Sequence, residues 1–172
     1  YLKDLQKDKA EKVLLDDLCR ALDSEHEGCL SVLRHGFKCF GRLFRLAYFA
    51  PASGLNPETQ RLYEANRLTI TRQLRYSNKH NNTIDLALSL NGIPVATAEL
   101  KNPMTGQTWR DAVDQYKTDR GPNDLIFQFK KRTLVHFAVD PDEVYMTTRL
   151  AGRATRFLPF NRGNGTGAGN PE

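Results

Sequence analysis

Apolar side chains recur at every second position in two neighbouring stretches. Leu68, Ile70, Leu74 and Tyr76, with Arg72 in the series, alternate with Thr69, Thr71, Gln73 and Arg75; Ile84, Leu86, Leu88 and Leu90 repeat the rhythm. A period of two sends successive side chains to opposite faces, so both stretches predict half-buried strands. Asn91-Gly92 follows the second and leads into another apolar run, Ile93–Leu100. Asn-Gly between such runs signals a hairpin, because both residues tolerate positive φ. A two-residue loop pairs Leu90 with Ile93 and sends Asp85 and Glu99 to opposite faces. A three-residue loop closed by a glycine bulge sets Leu90 opposite Pro94 and Asp85 opposite Glu99, which puts Asp85, Glu99 and Lys101 on one side. Leu86 and Leu88 then meet Ala98 and Ala96, and Pro94 sits at a strand start. We expect the three-residue loop.

Elsewhere the patterns are shorter. Leu2, Leu5, Val13, Leu14, Leu18 and Leu22 form an apolar stripe that predicts a helix ending by Gly28. Cys29 to Ala50 has the texture of two strands around a turn near Gly41-Arg42, with Arg34, Lys38, Arg42 and Arg45 outside. Pro57 and Glu58 suit the start of a short helix to about Ala65. A helix is expected over Thr108–Arg120, with Thr108 and Asp111 spaced as a capping box and Ala112, Val113 and Tyr116 toward a sheet. Leu134–Val139 and Val144–Thr148 read as strands joined by an acidic turn that lacks calcium-loop spacing. His136 reads as structural.

Composition changes this picture little. A chain of 172 residues with 40% hydrophobic content fills one α/β core, so we expect one domain over 1–160. The glycine-rich stretch 161–172 reads as a flexible linker without Walker spacing. No run approaches the ~20 apolar residues of a membrane helix and no leader pattern is visible, so the expected location is cytoplasmic. Cys19, Cys29 and Cys39 lack metal-ligand spacing. A net charge of +5 permits nucleic-acid binding without demanding it.

The hairpin carries the chemistry. Carboxylates directly opposed on a sheet face, ~4.5 to 5.5 Å apart at Cβ, repel unless something positive lies between them. A divalent cation meets that need, and oxygen ligands suit Mg²⁺ or Mn²⁺, which takes few carboxylates and leaves room for water and phosphate. Lys101 would sit beside a metal-bound water. A surface Lys-carboxylate pair, worth under ~1 kcal/mol, accounts for the same three residues without catalysis.

Asp85, followed after the turn by Glu99-Leu100-Lys101 at the end of an apolar strand, is similar to the PD-(D/E)XK nuclease signature. More narrowly, Asp85-Leu86-Ala87-Leu88, Asn91-Gly92-Ile93-Pro94-Val95 and Glu99-Leu100-Lys101-Asn102-Pro103 resemble the N-terminal endonuclease domain of the R subunit of type I restriction-modification enzymes. The resemblance implies a restriction-endonuclease-like α/β fold, a mixed central sheet flanked by helices. It implies magnesium held by Asp85, Glu99 and the Leu100 backbone carbonyl, Lys101 supporting the attacking water, and Gln115 as an accessory residue on the following helix. Family members usually carry Tyr four residues after that Gln; here the position is Asp119. Double-stranded DNA is the implied substrate, methyltransferase and specificity subunits the implied partners, and ATP a requirement of a motor outside this chain.

The resemblance puts the strand of Arg72, Gln73 and Arg75 beside the catalytic strands, which makes Arg72, Gln73 or Arg75 a candidate near DNA; Lys79 and His80 are candidate phosphate contacts. Two other readings stay open: a non-catalytic DNA-binding or assembly module of the same fold, and another PD-(D/E)XK nuclease acting in repair or junction resolution.

Overall fold

The computed structural model describes residues 7–161. Leu2 and Leu5 of the expected first helix, and all of the glycine-rich tail except Asn161, lie outside that range. The chain divides into two compact units, Tyr1–Arg67 and Leu68–Glu172. No helix among the described residues is long and apolar enough to cross a membrane.

The first unit contains α1 (Lys7–Asp23), α2 (Gly28–His35), β1 (Phe37–Cys39), β2 (Arg42–Phe44) and α3 (Pro57–Glu64). Helix α2 corrects the expectation of a strand after Cys29. Cys29, Val32 and Leu33 are all buried on it, and their spacing of three and four is helical. Gly36 ends the helix at φ 80°, its N–H bonded to the Val32 carbonyl. A Cβ there would stand 2.2 Å from the Phe44 carbonyl oxygen, so only glycine lets the chain turn into the hairpin. That hairpin is the expected one, with Phe37 opposite Phe44 and Cys39 opposite Arg42. Asn56 caps α3 by accepting from the Glu58 and Thr59 N–H groups.

The second unit is a six-stranded mixed sheet in the order β3 (Leu68–Arg75), β4 (Thr83–Leu90), β5 (Ile93–Leu100), β6 (Val135–Val139), β7 (Val144–Thr147) and β8 (Leu158–Pro159). Only β5 and β6 run parallel. Helix α4 (Trp109–Thr118) lies between them in sequence, as a parallel crossover requires. Its capping box is the expected one: Asp111 accepts from the Thr108 N–H, and the Thr108 hydroxyl accepts from the first turn. Ala112, Val113 and Tyr116 are buried. Val113 and Ala112 join Ala138 of the sheet, while Tyr116 joins Ile84, Ala87, Ile126, Phe127 and Leu150. Each large buried member contributes roughly 1.5–3 kcal/mol, which fixes α4 against β5 and β6.

The central hairpin corrects our expectation in its turn and meets it in its middle. Asn91 and Gly92, at φ 50° and 86°, form a two-residue turn, and Leu90 pairs with Ile93 rather than Pro94. The register then shifts between Leu88 and Ser89. Ser89 faces Pro94 but Leu88 faces Ala96, so Val95 is the extra residue of a β-bulge. Beyond it Leu88–Ala96 and Leu86–Ala98 pair as expected. The bulge supplies the one-residue offset that we assigned to a longer loop, and it sits beside a proline that cannot donate to the ladder.

Strand β3 also departs from plain alternation. Gln73 has φ 50°, and beyond it Leu74 and Tyr76 pack on the Ile84–Phe127 cluster. Leu68 and Ile70 on the other side of the break stay exposed.

Candidate active site

Asp85, Glu99, Lys101 and Gln115 all belong to the second unit, and the sheet brings them together. Carried one step past Leu86 opposite Ala98, the β4–β5 pairing sets Asp85 beside Glu99. There the ladder is completed by a side chain: the Leu100 N–H donates to Asp85 Oδ2 at 2.9 Å. The other Asp85 oxygen, Oδ1, accepts from Gln73 Nε2 at 2.9 Å.

Glu99 is fully buried. Its Oε1 accepts from Arg120 Nε at 2.7 Å and lies 2.6 Å from Nη2. Among the described residues its Oε2 is buried without a hydrogen-bond partner. Burial pushes the Glu99 carboxyl up to about 7; the Arg120 guanidinium opposes the rise and the neighbouring Asp85 adds to it. Although Arg120 balances the charge of Glu99, a buried carboxylate oxygen without a donor, next to a second carboxylate, leaves a place for a cation. The donor set is all oxygen, which fits a hard divalent cation that uses only one or two carboxylates. Among the described residues no three His, Cys, Asp or Glu side chains cluster as ligands.

The cation of the trio is oriented from both sides. The Lys101 N–H donates to the Val139 carbonyl at 2.8 Å, extending the parallel ladder. Its Nζ donates to Gln115 Oε1 at 2.6 Å. Gln115 and Tyr116 are adjacent on α4, so the helix anchors its tyrosine in the core while its glutamine reaches Lys101. The Tyr116 hydroxyl bonds Thr97 Oγ1, which also bonds His136 Nδ1. His136 is therefore structural, and burial lowers its pKa to about 4.

An open cleft of about 630 Å³ runs past Asp85 and Gln115, lined by Asn81, Asn82, Thr83, Asp85, Gln115, Thr118, Asp119 and Arg120; Glu99 and Lys101 lie outside its lining. None of the basic candidates Arg72, Arg75, Lys79 and His80 is among its lining residues. Arg75 Nε is directed at the Ser77 and His80 carbonyls, and His80 Nε2 lies 3.3 Å from Asp124 Oδ2.

Arg120 escaped the sequence reading, and Gln73 entered it only as a candidate near DNA. Arg120 also donates to the Thr83 carbonyl at 2.9 Å and lies over the Tyr76 ring; its contacts are 21 to 44 positions distant, beyond any local pattern. Gln73 lies across from Asp85 on the neighbouring strand, a signal that becomes readable only once the β3–β4 register is known.

Residues 43–155 match the family model described as type I restriction enzyme R protein N terminus. The chain belongs to this family. The matched region takes in Asp85, Glu99, Lys101, Gln115, Gln73 and Arg120 alike. The mixed sheet with its crossover helix is compatible with a restriction-endonuclease-like fold. No curated protein and no solved structure matches the chain.

Proposed function

We propose that the second unit is the endonuclease of a type I restriction R subunit, hydrolysing phosphodiester bonds of double-stranded DNA with magnesium. The observation that carries this reading is the buried Glu99 Oε2, without a hydrogen-bond partner among the described residues, behind Asp85, which lines an open polar cleft.

Asp85 and Glu99 would hold the ion, with the Leu100 carbonyl as a further oxygen ligand. When bound, such an ion lowers the pKa of water and offsets charge on the scissile phosphate. Gln73 and the Leu100 N–H fix Asp85, and Arg120 fixes one Glu99 oxygen. Lys101, steadied by Gln115, is placed to hold the attacking water and to stabilise developing negative charge. Methyltransferase and specificity subunits would supply sequence recognition, and an ATP-driven motor would supply translocation.

One observation favours a non-catalytic DNA-binding or assembly module of the same fold: Arg120 already balances Glu99 without a metal. Cleavage of DNA by the reconstituted restriction complex separates the two. Lys101→Ala should abolish cleavage under the nuclease reading; undiminished cutting by that variant removes Lys101 from the reaction.

A further inference from the structure

We infer that Gln73 is a positioning residue for Asp85, held in an unfavourable backbone conformation for that purpose. The inference rests on the metal-dependent reading above. A non-glycine residue with φ near +50° is uncommon, and inside a strand it interrupts pairing; such strain persists where the surroundings enforce it and gathers at functional sites. Gln73 occupies that conformation in the middle of β3. The β3–β4 ladder pairs Arg72 with Leu86 and Leu74 with Ile84 but passes over Gln73 and Asp85.

What the strand loses in pairing, the side chain replaces. Gln73 Nε2 donates to Asp85 Oδ1 at 2.9 Å, and Gln73 Oε1 accepts from Thr83 Oγ1 at 2.8 Å. The carboxylate settles the orientation of the amide: it only accepts, so the NH₂ group faces Asp85 and the amide oxygen is left to accept from the Thr83 hydroxyl. With Oδ2 bound to the Leu100 N–H, Asp85 is held at both oxygens, each keeping a lone pair for a cation. Partners of this kind orient metal ligands.

Gln73 is exposed, so a purely structural role predicts little effect on replacement, or a loss of stability. A positioning role predicts opposite movements in two measurements. Mn²⁺ binding by calorimetry and thermal melting would be measured on the whole chain for wild type, Asp85→Ala, Gln73→Gly and Thr83→Val. Glycine accepts positive φ without strain, so Gln73→Gly should melt at or above the wild-type temperature while binding Mn²⁺ about tenfold more weakly. Thr83→Val, which frees the amide to rotate, should weaken binding in the same direction with no change at residue 73. Wild-type affinity in Gln73→Gly overturns the inference and leaves the metal reading intact. A lower melting temperature in Gln73→Gly makes Gln73 a fold residue and also overturns it. A wild-type chain that takes up no Mn²⁺ overturns both readings.

Discussion

The pairing of Glu99 with Arg120 buries both partners of an ion pair. Two charged groups leave water, and their attraction compensates only when the remaining hydrogen bonds are satisfied. Arg120 meets that condition through Glu99, the Thr83 carbonyl and the Tyr76 hydroxyl. Glu99 does not, because one oxygen has no partner among the described residues. Arg120→Met should therefore lower stability by about 3 kcal/mol in urea denaturation at pH 8, whereas Glu99→Met combined with Arg120→Met should cost much less. Equal losses in the single and double variants would contradict this account. His136 makes a separate prediction. Its folded pKa of about 4 lies below the unfolded value of 6.5, so its neutral form stabilises the fold above pH 6.5. That contribution fades as the pH falls through 6.5 toward 4, by roughly 3 kcal/mol in all. Urea midpoints across that range should slope less in His136→Gln than in wild type.

At the level of elements, the hairpin shows how far a local signal reaches. Asn91-Gly92 announces a turn, and the turn is there with both residues at positive φ. The alternation of Ile84 to Leu90 announces a strand, and β4 covers it. Neither signal contains the bulge at Val95, which belongs to a strand that pairs with β4 on one side and β6 on the other, and whose carbonyl accepts from the Leu134 N–H. Gly92→Ala should cost about 1 kcal/mol, since a Cβ at φ 86° is unfavourable. Urea denaturation would show it, and a neutral outcome would mean that the turn relaxes into another conformation. Helix α2 illustrates the opposite failure. Aromatic and β-branched residues crowd the stretch around it and suggest strand, yet its own buried residues repeat at three and four positions. A window spanning both elements averages two different periods.

On the scale of the whole molecule, the family match and the proposed site fall in the same part of the chain. The match over residues 43–155 includes every proposed catalytic residue. In the assembled restriction enzyme, Lys101→Ala should leave ATP hydrolysis and translocation near wild type while cleavage is lost, because nothing in this chain resembles a nucleotide-binding loop. Loss of both activities would show that the variant disturbs assembly rather than the reaction. The modest excess of 25 basic over 20 acidic residues contributes little to this reading; basic residues placed along the cleft matter more than the sum, and Arg120 is the guanidinium that lines it.

Sequence by itself determined the features whose causes are local. Alternation fixed β3 and β4, the apolar run after the turn fixed β5, turn chemistry fixed Asn91-Gly92, the capping box fixed the start of α4, and the spacing of Asp85, Glu99 and Lys101 made one site plausible. Tertiary structure decided what depends on distant partners. The bulge that brings the carboxylates together, the left-handed Gln73 that reaches Asp85, and the burial of Arg120 against Glu99 each join residues from separate strands or from beyond the helix. Their energies exist only once the sheet has assembled, so no pattern along the chain announces them.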